Sequence, residues 1–209
     1  MRVLICDDHP IVRKGLREIL EQAEAAVTIG EAASAPEALD LARKKLWDIV
    51  VLDITMPGQT GLELLKNLKR ERPNVPALVL SVHPADQYAI RVLRAGASGY
   101  LTKESAPEEL LTAIRHILRG ARYISPPVGE TLAADLGRPA EELPHHGLSD
   151  REFEVMRLLA SGKSVSEAAE ELHLSVKTVS TYRTRILQKL NLPTTAAIMR
   201  YALKHGFVD

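Results

Sequence analysis

Between residues 1 and 124, short apolar runs alternate five times with stretches of helical periodicity, and this alternation limits the possible folds more than any single residue does. The predicted strands are Val3–Cys6, Thr28–Ala32, Ile49–Leu52, Leu78–Leu80 and Gly99–Leu101. The predicted helices are Val12–Gln22, Pro36–Leu46, Gly61–Arg72, Asp86–Ala95 and Pro107–Arg119. Three of the runs are continuous and rich in Val, Ile and Leu, the pattern of strands buried on both faces. Strands separated by helices pair in parallel through right-handed crossovers, which predicts an α/β domain over 1–124: a doubly wound, five-stranded parallel sheet.

The texture changes at Ser125. Ser125-Pro126-Pro127 is followed by Gly129, Gly137, Pro139, Pro144 and Gly147 and by the acids Glu130, Asp135, Glu141 and Glu142, so 125–146 reads as a linker. One or two helical turns are expected over Thr131–Leu136. Residues 147–209 predict a smaller all-α domain of four helices. Ser149-Asp150-Arg151-Glu152 and Ser164-Val165-Ser166-Glu167 are capping boxes for the first two, Ser175 caps a third running to Leu190, and Pro193-Thr194 opens a fourth.

Composition removes several classes of function. Lys+Arg and Asp+Glu are 27 each, so no uniformly basic nucleic-acid coat is present. One cysteine, Cys6, excludes an intrachain disulfide and a multi-cysteine zinc site, and a small buried strand residue is its expected role. The N-terminal apolar run reaches Asp7-Asp8 too soon for a signal peptide, and no stretch approaches the ~20 apolar residues of a membrane helix. A soluble, cytoplasmic protein with no membrane partner is expected.

Asp7 and Asp8 follow the first predicted strand, Asp53 ends the third, Ser81 closes the fourth and Lys103 follows the fifth. Open parallel sheets bind ligands beyond the carboxyl ends of their strands, about 4.8 Å apart, so these groups should converge at one rim. Clustered carboxylates repel unless a cation joins them, and Mg²⁺ is the natural partner because it takes carboxylates together with phosphate oxygens. Carboxylates, Mg²⁺, a hydroxyl and a lysine suit a phosphoryl group carried on an aspartate.

Asp7-Asp8, Asp53 within Val-Val-Leu-Asp-Ile-Thr-Met-Pro-Gly, Ser81 and Tyr100-Leu-Thr-Lys103 resemble a two-component receiver domain, which has flavodoxin-like strand order. With its C-terminal part, the chain resembles a NarL/FixJ-family response regulator with a LuxR-type helix-turn-helix. The resemblance implies that Asp53 accepts a phosphoryl group from a sensor histidine kinase. It also implies Mg²⁺ held by Asp8, Asp53 and the backbone carbonyl of Thr55, with Asp7 acting through water. Lys103 would pair with the phosphoryl oxygens, Ser81 would hydrogen-bond one of them, and Tyr100 would be the aromatic that reorients. The chain would be no enzyme beyond slow self-dephosphorylation.

Two positions depart from the receiver pattern. Val82 stands where a small residue is usual and could crowd Asp53. Glu104 replaces the usual proline after the lysine, and a cis Lys103–Glu104 bond would cost about 3–4 kcal/mol, so it is expected only if the loop enforces it. His9 reads as part of a helix-entry turn or as a neighbour of the acids, and His83 as a tuner of phosphoryl lifetime or an exposed loop residue.

The stretch Val176–Leu190 carries Lys177, Arg183, Arg185 and Lys189 and no acid, and the acidic linker masks it in the neutral total. Preceded by a short helix and the turn at Leu174-Ser175, it predicts a recognition helix for the major groove. Val179, Ile186, Leu187 and Leu190 are expected in the core. Ser180, Thr181, Arg183 and Thr184 are expected at base edges, and Lys177, Tyr182, Arg185 and Lys189 at phosphates. Leu148–Glu152, Val165–Leu172 and Lys177-Thr178-Val-Ser-Thr-Tyr-Arg-Thr-Arg185 resemble the LuxR-type motif. Three or four phosphates per subunit give a salt slope of only about −3 to −4, so a homodimer on a two-fold promoter site is expected. Thr194–His205, with Ile198, Tyr201 and Ala202, would supply the dimer surface or pack on its own domain. Other readings are a regulator indifferent to phosphorylation that uses the receiver to dimerise, and a Mg²⁺-dependent aspartyl-phosphate phosphatase. Thr55 speaks against the phosphatase, because that chemistry wants a second acid two residues after the nucleophile.

Overall fold

A computed structural model of the chain describes residues 1–56, 61–82, 85–125, 128–130 and 144–208. Two compact units are present, Met1–Thr131 and Leu132–Asp209. The first runs β1 (Arg2–Cys6), α1 (Pro10–Ala23), β2 (Thr28–Ala32), α2 (Ala35–Lys44), β3 (Ile49–Asp53), α3 (Gly61–Glu71), β4 (Ala77–Ser81), α4 (Ala85–Arg94), β5 (Gly99–Thr102), α5 (Ala106–Leu118) and β6 (Tyr123–Ile124). All strands are parallel in the order β2-β1-β3-β4-β5-β6, the doubly wound arrangement.

Among the described residues the sheet therefore has six strands, not the predicted five. The extra strand is only Tyr123–Ile124, too short to carry a period, and it lies at the end of the predicted receiver, just before the linker expected from Ser125. Otherwise the alternation of side chains builds both layers. Val3, Ile5, Ile49, Val51, Leu78, Leu80 and Leu101 form one core with Leu16 and Leu20 of α1 and Leu110, Ile114 and Ile117 of α5. Leu4, Cys6, Val50, Leu52, Val79 and Tyr100, the intervening residues, are equally buried. Every residue of β3 and β4 is buried, which is why those segments read as unbroken apolar runs.

Gly61 fixes how α3 begins. A Cβ there would stand 2.1 Å from the Asp53 carbonyl oxygen and 2.4 Å from Ile54 Cα, backbone atoms that cannot step aside. The Gly61 N–H donates to Ile54 O at 3.0 Å, so the acceptor loop closes on itself at its base. Gly61→Ala is expected to lower unfolding stability by about 1–3 kcal/mol, the usual cost of overpacking, as read by urea titration. A midpoint equal to that of the parent would show that the loop relaxes freely.

The second unit contains a 3₁₀ turn at Pro144–Gly147, then α6 (Asp150–Ala160), α7 (Val165–Glu171), α8 (Val176–Lys189) and α9 (Thr195–Lys204). Both capping boxes form: Ser149 with Glu152, and Ser164 with Glu167. Ser175 accepts the Thr178 N–H at 3.0 Å, and Thr194 accepts that of Ala197. The core is Phe153, Val155, Met156, Leu159, Ala168, Ala169, Val179, Ile186, Leu190, Ile198, Ala202 and Phe207. Leu187 is only half-buried. α9 packs on its own unit: Ile198 and Ala202 are buried, and the Tyr201 hydroxyl lies 2.8 Å from His145 Nδ1. Of the two roles open for this helix, the residues singled out for a dimer surface fill the internal one. The helical turns expected over Thr131–Leu136 lie outside the described residues.

Candidate functional site

Strand register assembles the acidic rim. Cys6 pairs with Leu52, so Asp7, just past β1, and Asp53, the last residue of β3, come next to each other. Asp53 pairs with Leu80 and Ser81 with Thr102, which brings the ends of β4 and β5 to the same edge. Lys103 follows, its N–H donating to Ser81 O at 2.7 Å. Its Nζ donates to Asp53 Oδ2 at 2.8 Å and stands 2.7 Å from Asp7 Oδ2. Asp7 and Asp53 are almost fully buried, and so is Ser81; Asp8 is more open. The Thr55 N–H donates to Asp53 Oδ1 at 2.9 Å. Burial pushes Asp53 up to about 6, against the pull of Lys103 and the Thr55 N–H and with Asp7 adding to the rise. Burial works against the Lys103 ammonium, but the two carboxylates outweigh it and hold its pKa above the ordinary value.

The anionic oxygens outnumber the donors. Asp7 Oδ2 and Asp8 Oδ1 are buried and lack an aligned hydrogen-bond donor: Lys103 and His9 stand close enough to pair with them, at 2.7 and 2.9 Å, but off the hydrogen-bonding angle. One ligand atom each from Asp7, Asp8, His9 and Asp53 falls within 4.8 Å of all the others. Buried carboxylates left over after the lysine is used suit a hard divalent cation such as Mg²⁺.

His9 fills both of the roles expected of it, helix-entry residue and neighbour of the acids. It precedes Pro10 at the start of α1, and its Nδ1 lies 3.2 Å from Asp7 Oδ1 and 2.9 Å from Asp8 Oδ1. Arg13, which sequence reasoning missed, donates to Asp7 O at 2.6 Å and also pairs with Glu31. Burial, with Asp7 and Asp53 close by, pushes the Cys6 thiol up to about 12, so it is no reactive thiolate. Tyr100 is fully buried and Val82 is 62% exposed. The Lys103–Glu104 peptide is trans. His83, Pro57 and Gly58 lie outside the described residues.

On α8, Lys177, Thr178, Thr181, Tyr182 and Arg185 share one face and line an open cavity of about 300 Å³. Thr181 and Thr184 hydroxyls donate to the carbonyls of Lys177 and Ser180, so both present a methyl and oxygen lone pairs outward rather than a free donor. Ser180 is half-buried and Thr184 exposed.

Two of the residues expected at DNA, Arg183 and Lys189, make contacts within their own unit. Arg183 is half-buried, and its Nε donates to Thr195 Oγ1 at 2.7 Å, tying α8 to the start of α9. Lys189 Nζ donates to Glu152 Oε2 at 2.7 Å and to Gly147 O at 3.0 Å. Glu152 is 3% exposed. Burial works against its charge, but Lys189 and Ser149 hold its carboxyl below the ordinary range. Both basic side chains therefore hold the unit together.

The chain matches the family model of the response regulator receiver domain over residues 3–115 and that of the bacterial regulatory proteins of the luxR family over 146–202. It is 37% identical over 210 residues to response regulator UvrY of Escherichia coli (strain K12), covering 100% of this chain and 96% of the relative. It is also 37% identical over 210 residues to response regulator GacA of Pseudomonas aeruginosa, covering 100% and 98%. Among solved structures, RcsB from Salmonella enterica serovar Typhimurium, bound to promoter rprA in the presence of phosphomimetic BeF3-, aligns with a TM-score of 0.66. That pair is 31% identical, with 96% of this chain and 98% of RcsB covered. A parallel α/β unit with an acidic rim, joined to a helix-turn-helix, defines a two-component response regulator. This chain belongs to the NarL/FixJ family of response regulators, with a receiver domain and a LuxR-type output domain. No helix among the described residues is long and apolar enough to cross a membrane.

Proposed function

We propose that this response regulator accepts a phosphoryl group on Asp53 from a sensor histidine kinase and, so modified, binds promoter DNA through α8 as a homodimer. The carrying observation is the buried triad Asp7–Lys103–Asp53, with Lys103 within 2.8 Å of both carboxylates.

An Asp53 carboxylate oxygen attacks phosphorus, the P–N bond to the kinase histidine breaks, and the leaving imidazole keeps the electron pair and takes up a proton. With its pKa near 6, Asp53 is ionised and nucleophilic above neutrality. Lys103, already on Asp53 Oδ2, turns to the incoming phosphoryl oxygens, and the Thr55 N–H holds Oδ1. Ser81 hydrogen-bonds a phosphoryl oxygen and Tyr100 repacks with it. Asp8, Asp53 and the Thr55 carbonyl would hold Mg²⁺, with Asp7 reaching it through water; the ion supplies charge neutralisation for the phosphoryl oxygens. On this reading the chain is a cytoplasmic regulator that dephosphorylates itself slowly rather than an enzyme with turnover.

Lys177, Tyr182 and Arg185 are assigned to phosphates and Thr178, Ser180, Thr181 and Thr184 to base edges, along the face that lines the cavity and its flank. RcsB bound to a promoter, a relative of the same two-unit plan, supports this reading. Fluorescence anisotropy on selected duplex DNA across a salt series tests it. Lys177→Ala and Arg185→Ala should each flatten the salt slope by about one. Affinity should rise with a small phosphodonor in the parent and not in Asp53→Asn. A slope unmoved by either basic substitution would remove α8 from the DNA.

A further inference from the structure

The last strand described in the receiver unit, β6, lies on the one that carries the switch aromatic. Tyr123 pairs with Gly99 and Ile124 with Tyr100. On its other side β5 pairs with β4, Tyr100 against Val79 and Thr102 against Ser81. A single backbone segment thus lies between the rim hydroxyl Ser81 and the start of the chain that runs on to the helical unit. The two ladders are unequal. That to β4 extends from Gly99 to Thr102, and that to β6 only from Gly99 to Tyr100. A displacement of β5 is therefore resolved at β6, where the least pairing has to yield.

Tyr123 is built to hold this strand in register. Its N–H donates to Ser98 O at 2.9 Å, and its hydroxyl donates to Glu109 Oε2 on α5 at 2.5 Å. Its ring meets His116, also on α5, edge-on with centroids 6.1 Å apart. Burial and the Glu109 carboxylate push its phenol up to about 12, so the hydrogen bond persists across physiological pH. Gly99 allows the approach, since a Cβ there would stand 3.0 Å from Tyr123 O and 3.1 Å from Ile117 Cδ1. One residue on, Ile124 is 39% exposed, so within β6 the clamp is at Tyr123.

We infer that β6 is the output lever of the receiver and that Tyr123 is the positioning residue that clamps it, so that repacking of Tyr100 is passed through the β5–β6 pairing to the connecting segment. The inference rests on the phosphorylation reading above, by which Ser81 and Tyr100 sense the phosphoryl group. It adds a direct backbone route from Tyr100 to the chain that leaves the domain.

Hydrogen exchange on the full chain, with intact mass recorded in parallel, tests it. With Mg²⁺ and acetyl phosphate, exchange in the peptide spanning Tyr123 to Ser125 should change by about threefold or more, as expected for a shifted local opening, while the opposite edge strand β2 stays constant. Asp53→Asn should show no change. Tyr123→Phe, which keeps the ring and loses the bond to Glu109, should speed β6 exchange before phosphodonor is added, blunt the further response, and still gain phosphoryl mass. A parent that gains the phosphoryl mass with unchanged β6 exchange overturns the lever. If no mass is gained from acetyl phosphate or from a phosphorylated histidine kinase, the phosphorylation reading fails instead, and Tyr100→Leu decides. Altered β6 exchange with unaltered β2 exchange keeps the backbone coupling, and equal exchange at both edges removes it.

Discussion

Replacing Lys103 with Ala is expected to destabilise the receiver by about 3 kcal/mol at pH 7.5 without divalent ions, because it leaves two buried carboxylates without their shared cation. The loss should depend on pH. Asp53 has a folded value near 6 against about 3.9 unfolded, so between those values the native state holds more protons than the unfolded one. Stability from this group is therefore present at low pH and lost as pH rises through 6. Without Lys103 the folded value moves higher still, and acidification to pH 5 should return much of the loss, since protonation removes one of the stranded charges. Mg²⁺ should return part of it at pH 7.5 by binding only the folded form. Urea titrations of parent and variant at both pH values, with and without Mg²⁺, measure all of this. A pH-independent difference would mean that Lys103 contributes packing rather than charge.

Lys189→Ala gives the second large effect, and it lies in stability rather than DNA affinity. The substitution strands Glu152, which is 3% exposed, and frees the Gly147 carbonyl. Lys189 itself is 43% exposed, so solvent screens part of the pair, and a loss of about 1–3 kcal/mol is expected. In a unit this small that is a large share of total stability. Thermal unfolding should show a lowered helical-unit transition, while the salt slope of DNA binding at a temperature where the variant is folded stays that of the parent. A slope flattened by one, with stability intact, would return Lys189 to a DNA phosphate.

These two lysines mark how far the sequence could be read. Lys103 was legible because strand ends in a parallel sheet share one rim, and the apolar runs that place those ends are unbroken. Asp7, Asp53 and Ser81 follow from the same rule. The internal contacts of Lys189 and Arg183 are not legible, because charge alone does not tell a solvated face from a strut. Arg183 lies four residues after buried Val179, only about 40° round the helix from it, which placed it near the core rather than on the groove face. For Lys189 the signal was its partner. Glu152 is the third helical residue of a capping box that packs into the core, and a buried carboxylate needs a cation. The contacts of His9 depend on how α1 enters, which no spacing reveals. β6 was invisible because two residues carry no period, and its existence depends on β5 being there to pair with.

The central claim is that Asp53 is a phosphoryl acceptor, and intact mass after incubation with Mg²⁺ and a small phosphodonor tests it most directly. The expected result is a gain of one phosphoryl group in the parent chain and none in Asp53→Asn, with the modified peptide containing Asp53. A parent chain that binds Mg²⁺ at the rim and gains no mass from either the phosphodonor or a phosphorylated histidine kinase, or that gains it equally in Asp53→Asn, would contradict the claim.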